Sequence, residues 1–177
     1  IKAKIVNLDI AKLLYMLKQP HYSDGLFSME ADISDASVEN LSGSVATTIT
    51  KGVLDSKYLS KTYKFASSMP KTTFGSTTTT MLKNAVADSR VDFNSNIADL
   101  DIKSAKFNIK DGSLQSDYKL SIPNLDALFF ATNQHMRGAI TAKGTLTRAK
   151  DLDFTLYTEV AEGKINAKLH NDDFFAD

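Results

Sequence analysis

The feature that most constrains this chain is a period-two alternation of apolar and polar residues that recurs along its length. Leu114, Tyr118, Leu120 and Ile122 fall on one side of a run, with Ser116 among them, and Gln115, Asp117, Lys119 and Ser121 fall on the other. Leu152, Phe154 and Leu156 alternate with Asp153, Thr155 and Tyr157. Ile165, Ala167 and Leu169 alternate with Lys164, Asn166, Lys168 and His170. Phe107 and Ile109 alternate with Lys106, Asn108 and Lys110. Successive side chains of a strand point to opposite faces, so each run predicts a strand with one apolar and one wet face. The phase shifts between Ile102 and Phe107, which predicts a bulge near Ser104-Ala105.

One covered face and one solvated face is the pattern of an antiparallel sheet. Hairpins follow one another without long helical crossovers, so the expected fold is mostly β, an antiparallel meander with a few short helices. Asn7-Leu8-Asp9 opens a helical stretch, Ile10 to Leu17, and Asn124-Leu125-Asp126 opens another, Ala127 to Thr132, with Asp as the N-cap in both. Gly25 and Gly138 follow at similar distances, and each precedes a strand-like segment, Leu26 to Ile33 and Ala139 to Thr147. A third helix is expected over Thr78 to Ala87. Lys51-Gly52, Asp111-Gly112 and Glu162-Gly163 each read as a tight hairpin turn, where glycine takes positive φ without steric cost. These landmarks divide the chain into three units, roughly 7–70, 71–123 and 124–177, each a short helix followed by three or more strands, all within one β-repeat segment over 1–177. Three helices of about ten residues cannot cover a sheet of ten or more strands. Either the sheet curls on itself or part of its apolar face stays open.

The residues offer little chemistry. With no cysteine among 177 residues, disulfides and thiolate metal sites are excluded. His21, His135 and His170 are scattered, and none pairs at helical metal-ligand spacing. His21 and His135 each follow a helix, where a cation compensates the helix dipole, and that account is preferred to a ligand pair. There is no Gly-x-Ser-x-Gly elbow and no phosphate-binding Gly-rich loop. Asp99 and Asp101 lack the spacing of a Ca²⁺ loop. Twenty-one basic residues balance 21 acidic ones without forming a stripe, which argues against nucleic acid as a partner. The longest uninterrupted apolar stretch, Ala127 to Ala131, is far too short to span a bilayer. No signal peptide is visible, and Ile1 and Asp177 read as boundaries within a longer polypeptide, so an anchor or targeting segment would lie outside it. No enzyme activity, cofactor or metal is expected.

The apolar stripe reads either as an ordinary core or as an extended groove that takes up acyl chains by burial alone. Its candidate lipid-facing residues are Phe107, Ile109, Leu114, Tyr118, Leu120, Ile122, Leu152, Phe154, Leu156, Ile165 and Leu169.

Several phrases also resemble a known family. Ile97-Ala98-Asp99-Leu100-Asp101-Ile102, Phe107-Asn108-Ile109-Lys110-Asp111-Gly112-Ser113-Leu114, Met136-Arg137-Gly138-Ala139-Ile140-Thr141-Ala142-Lys143-Gly144 and the tail from Ala167 to Phe175 resemble the AsmA/TamB-like superfamily of bacterial envelope proteins. The resemblance covers most of 90–177 and, more loosely, 7–60. It implies a taco-shaped β-sheet with an apolar inner groove, of the bridge-like lipid-transfer class. It also implies a periplasmic body, anchored in the inner membrane of a Gram-negative bacterium, that moves phospholipids between inner and outer membranes. The alternative it carries is a scaffold or interaction module that assists outer-membrane protein assembly and contacts other envelope proteins. No catalytic residues belong to that pattern.

Overall fold

The computed structural model describes residues 1–160, 163–171 and 173–176. Its strands are β1 (Lys2–Asp9), β2 (Ser23–Asp35), β3 (Ser42–Leu54), β4 (Thr73–Lys83), β5 (Val86–Ser95) and β6 (Asp99–Asn108), followed by β7 (Leu114–Ile122), β8 (Ile140–Arg148), β9 (Leu152–Val160), β10 (Gly163–His170) and β11 (Asp173–Ala176). They form one sheet in the order β1 to β11, every strand antiparallel to its neighbours in the chain. The mostly β, antiparallel meander expected from the alternation is therefore the observed fold.

Three helical crossovers interrupt the meander, all at the same end of the sheet. Helix α1 (Ile10–Met16) joins β1 to β2, and α2 (Ser56–Tyr63) joins β3 to β4. A 3₁₀ turn (Leu125–Leu128) running into α3 (Phe129–Thr132) joins β7 to β8. They are followed by two, four and four strands. The carboxylate of Asp9 caps α1, accepting the N–H of Ala11 at 2.8 Å and of Lys12 at 3.4 Å. At the second predicted helix Asn124, not Asp126, is the cap: its side chain accepts the Asp126 N–H at 3.1 Å, which frees the Asp126 carboxylate for His135.

Two other expectations are corrected. Thr78 to Ala87 is not helical. Thr77 to Thr80 are β-branched, lose side-chain freedom in a helix and pack well in a strand, and they lie inside β4. Asn84 and Ala85, with φ of 51° and 61°, then make a two-residue hairpin turn into β5. Ala85 is fully buried there: its N–H donates to Leu41 O, and its carbonyl accepts the N–H of Ile109. Lys51-Gly52 is not a hairpin turn either. It sits within β3 at a bulge, Lys51 taking φ 54°, and Gly52 is needed because a Cβ would lie 2.7 Å from the Phe74 ring. By contrast Asp111-Gly112 does turn β6 into β7, with Gly112 at φ 70°. At the third such pair Gly163 opens β10 opposite Val160, while Glu162 lies outside the described residues. The bulge expected near Ser104-Ala105 is present, as the β6–β7 register slips between Asp101 and Ala105.

The packed interior is small and lies mainly at the helical end. Ile10, Leu14, Ile97, Ile122 and Phe130 are buried there. The segment after α2 reaches α3: Ser67 N–H donates to Phe130 O at 3.1 Å, and Phe65 meets Phe130 edge-on at 4.9 Å. Ile97, on the intervening β5–β6 connection, is 8% exposed. Elsewhere, among the described residues, no second layer packs on the sheet. A compact 19.4 kDa protein exposes about 8,500 Å² by the usual size scaling, whereas this chain exposes 11909 Å².

Candidate functional site

Cross-strand register decides which side chains share a face, because residues paired in an antiparallel ladder point the same way. One row runs Phe93, Leu100, Leu120, Ala142, Thr158, Ile165 across β5 to β10. A second runs Ala87, Phe107, Leu114, Arg148, Leu152, and a third Ala105, Ser116, Leu146, Phe154, Leu169. Ile122 pairs with Ile140 and Leu156 with Ala167. Tyr118 and the rest of the predicted residues thus lie on one face, except Ile109. Ile109 falls past the end of β6 in the turn, 37% exposed. The same face continues through the first strands as Ile5, Leu8, Phe27, Met29, Val45 and Ile49, positions the sequence reading did not single out. A seam of hydroxyls crosses it at Thr47, Thr78, Thr80 and Ser89, where Thr80 and Ser89 bond each other at 2.8 Å.

Several polar groups of the apolar face bond within the sheet. Ser116 donates to Asp117 O at 3.0 Å and Thr158 to Thr141 O at 2.9 Å. Tyr118 lies across Gly144 of the next strand, donates to Thr155 O at 2.7 Å two strands away, and stacks on Phe154 at 5.3 Å. Burial raises the Tyr118 phenol above its ordinary range. Here the β8–β9 ladder is irregular: the Thr145 N–H donates to Thr155 Oγ1 at 2.9 Å.

A cavity of about 710 Å³ opens on the opposite face, beneath this irregularity. Lys103, Lys119, Lys143 and Lys168 line it with Asp101, Asp117 and the rings of Tyr157 and Phe175. Of the predicted lipid-facing residues only Tyr118 and Leu156 reach it. Lys143 lies over the Tyr157 ring at 5.1 Å, and Lys168 pairs with Asp153 at 3.4 Å. This cluster escaped the sequence reading, since only the register brings Lys119 opposite Lys143.

The histidines are held by carboxylates: His21 by Asp24 and His135 by Asp126, each at 2.8 Å, and His170 by Asp153 at 2.9 Å. These contacts replace the helix-dipole role expected of His21 and His135. The bond to His170, aided by Lys168, holds the Asp153 carboxyl below the usual range. Among the described residues no group of three His, Asp or Glu side chains could hold a metal ion, and no helix is long and apolar enough to cross a membrane.

No protein-family model matches this chain, and neither a curated protein nor a solved structure is significantly similar to it.

Proposed function

We propose that this chain is a periplasmic segment of an inner-membrane-anchored envelope protein that carries phospholipids, their acyl chains lying along the apolar face of the sheet, between inner and outer membranes. The observation that carries the reading is a largely apolar face running from β1 to β10, crossed by one seam of hydroxyls, on which no layer packs away from the helical end among the described residues, matched by an accessible surface of 11909 Å². Burial supplies the affinity at about 0.8 kcal/mol per methylene, so about ten methylenes with half their surface covered gain about 4 kcal/mol. Such a surface needs no base, nucleophile or metal. The resemblance to AsmA/TamB-like proteins supports the same reading.

The second reading, a scaffold that aids outer-membrane protein assembly, is supported by the two ends of the meander. β1 and β11 each have an edge with no partner strand among the described residues, and such edges add strands from other chains. Photo-crosslinking in the full-length protein in cells separates the two. A crosslinker at Leu120 or Phe154 captures phospholipid if the groove is occupied, and one at Ser121 or Thr141, on the other face, captures little. Equal labelling of both faces, or capture of protein alone, rejects the groove and favours the scaffold.

A further inference from the structure

The cavity on the polar face carries a charge arrangement that the conduit reading does not use. Across one level of the sheet the register sets Asp92 beside Asp101, Asp101 beside Lys119, Lys119 beside Lys143, and Lys143 beside Tyr157. Acids gather at one end of this row and bases at the other. Like charges directly opposite in a ladder, with Cβ atoms about 5 Å apart, are destabilising. The rule is respected at the far edge of the same face, where Lys2 faces Asp32 at 3.5 Å and Lys4 faces Glu30 at 4.0 Å. Lys119 and Lys143 break it in the lining of the cavity, as Asp92 and Asp101 do at the acidic end of the row. Four lysines and two aspartates line that cavity, and Asp153 pairs with Lys168, so the local balance is about +1, on a chain whose total is zero. The walls beside the ammonium groups are mostly carbon: lysine stems, Tyr157, and Phe175, whose side chain is left 59% exposed.

We propose that this cavity binds an amphiphilic anion, with its acidic group between Lys119 and Lys143 and its apolar body against Tyr157 and Phe175. The anion neutralises the opposed lysines, and the body covers the exposed ring. A volume of about 710 Å³ is within the range of small-molecule sites. The site is on the face opposite the proposed conduit and stands or falls separately from it.

Calorimetric titration of the folded chain with dodecyl phosphate below its micellar concentration tests this, with inorganic phosphate, dodecanol and dodecyltrimethylammonium as companion probes. Dodecyl phosphate binds saturably, and each of the other three binds at least about tenfold more weakly, the worth of one charge-assisted hydrogen bond or more. The variant K119Q/K143Q weakens dodecyl phosphate by about tenfold or more, and K2Q/K4Q, which removes as much charge from the same face, leaves it unchanged. Both pairs are exposed, and removing the opposed ammonium groups does not lower the urea midpoint of the free protein. The inference is overturned if dodecanol binds as tightly as dodecyl phosphate, if K119Q/K143Q binds as wild type does, or if inorganic phosphate matches the full probe. The first two outcomes place the alkyl chain on the apolar face and leave the conduit intact. The third leaves a bare anion site.

Discussion

Replacing Gly144 by alanine sets two opposite expectations against each other. Glycine in a strand interior is unfavourable by roughly 0.5–1 kcal/mol relative to alanine, and Gly144 does not adopt positive φ. On propensity alone, Gly144→Ala should stabilise the protein. The structure reverses the sign. A Cβ at Gly144 would collide with the carbonyl oxygen of Thr155 and lie 2.7 Å from Tyr118 Oη. Something must move, and what moves is the Tyr118–Thr155 hydrogen bond at 2.7 Å together with the local path of β9. Losing that bond costs about 1 kcal/mol, and overpacking adds about 1–3 kcal/mol. After the propensity gain is set against them, a net loss of about 2 kcal/mol remains. Urea unfolding monitored by circular dichroism reads it as a lower midpoint at unchanged slope. Tyr118→Phe alone loses the hydroxyl only, and the double variant should fall short of the sum of the two losses, because both act on one contact. A Gly144→Ala midpoint at or above wild type would refute the close approach of β9 to β8, and with it the account of the irregular ladder above the cavity.

Three further outcomes are expected. Ala85→Val forces a β-branched residue into φ 61° at a fully buried position and should cost about 2–4 kcal/mol in the same assay; a change below about 0.5 kcal/mol would remove the Asn84-Ala85 turn from the description. Phe130→Ala should cost about 3 kcal/mol, since the ring is 8% exposed and carries the contact between crossovers, whereas a neutral result would mean that the helical end is not packed. Asp153 has a folded pKa lowered mainly by its bond to His170, so its contribution is present above its unfolded pKa of about 3.9 and is lost as pH falls through the lower folded value. The urea midpoint of wild type should therefore drop below pH of about 4 more steeply than that of Asp153→Asn, and parallel curves would exclude the linkage.

How much was legible in the chain depends on how local each signal is. Alternation at Leu114 to Ile122 or Leu152 to Leu156 is decided by adjacent residues, so strand, face and antiparallel class could be read directly. The bulge at Ser104-Ala105 was legible for the same reason, as a slip in phase. Glycine was the weak signal. Gly112 turns the chain, but Gly52 serves the ring of Phe74 on a neighbouring strand, and nothing in the local sequence tells these roles apart. The helix α2 was hidden because Leu54-Asp55-Ser56 continues a strand pattern, although Asp55 caps it by accepting the Tyr58 N–H at 2.8 Å. The threonine run Thr77 to Thr80 carries its own local signal, since β-branching favours the strand it forms in β4 over a helix. The candidate apolar face was readable from parity within each strand. The lysine cavity was not, because Lys119 and Lys143 become neighbours only through the register across the β7–β8 crossover.

The two faces follow from the same periodicity and carry different chemistry, meeting only where Tyr118 and Leu156 reach the cavity. Along β7, Tyr118 and Leu120 serve one face and Asp117 and Lys119 the other, so a substitution at Lys119 changes the cavity without touching the apolar row. A twisted sheet is saddle-shaped, hence concave along one diagonal on each face, and a single layer can hold an apolar track on one side and a charged hollow on the other. A second layer over the apolar face would have produced a closed core and buried the large side chains fully, yet among the described residues none is fully buried. Stability must then come chiefly from the ladders of neighbouring strands and from the small helical end, where Ile10, Leu14 and Phe130 are buried. Each strand leans chiefly on its neighbours in the ladder, as in repeat architectures, with the Tyr118 bond to Thr155 reaching one strand further. Away from the helical end, and among the described residues, no second layer covers the apolar face, which is the condition a carrier of apolar chains requires.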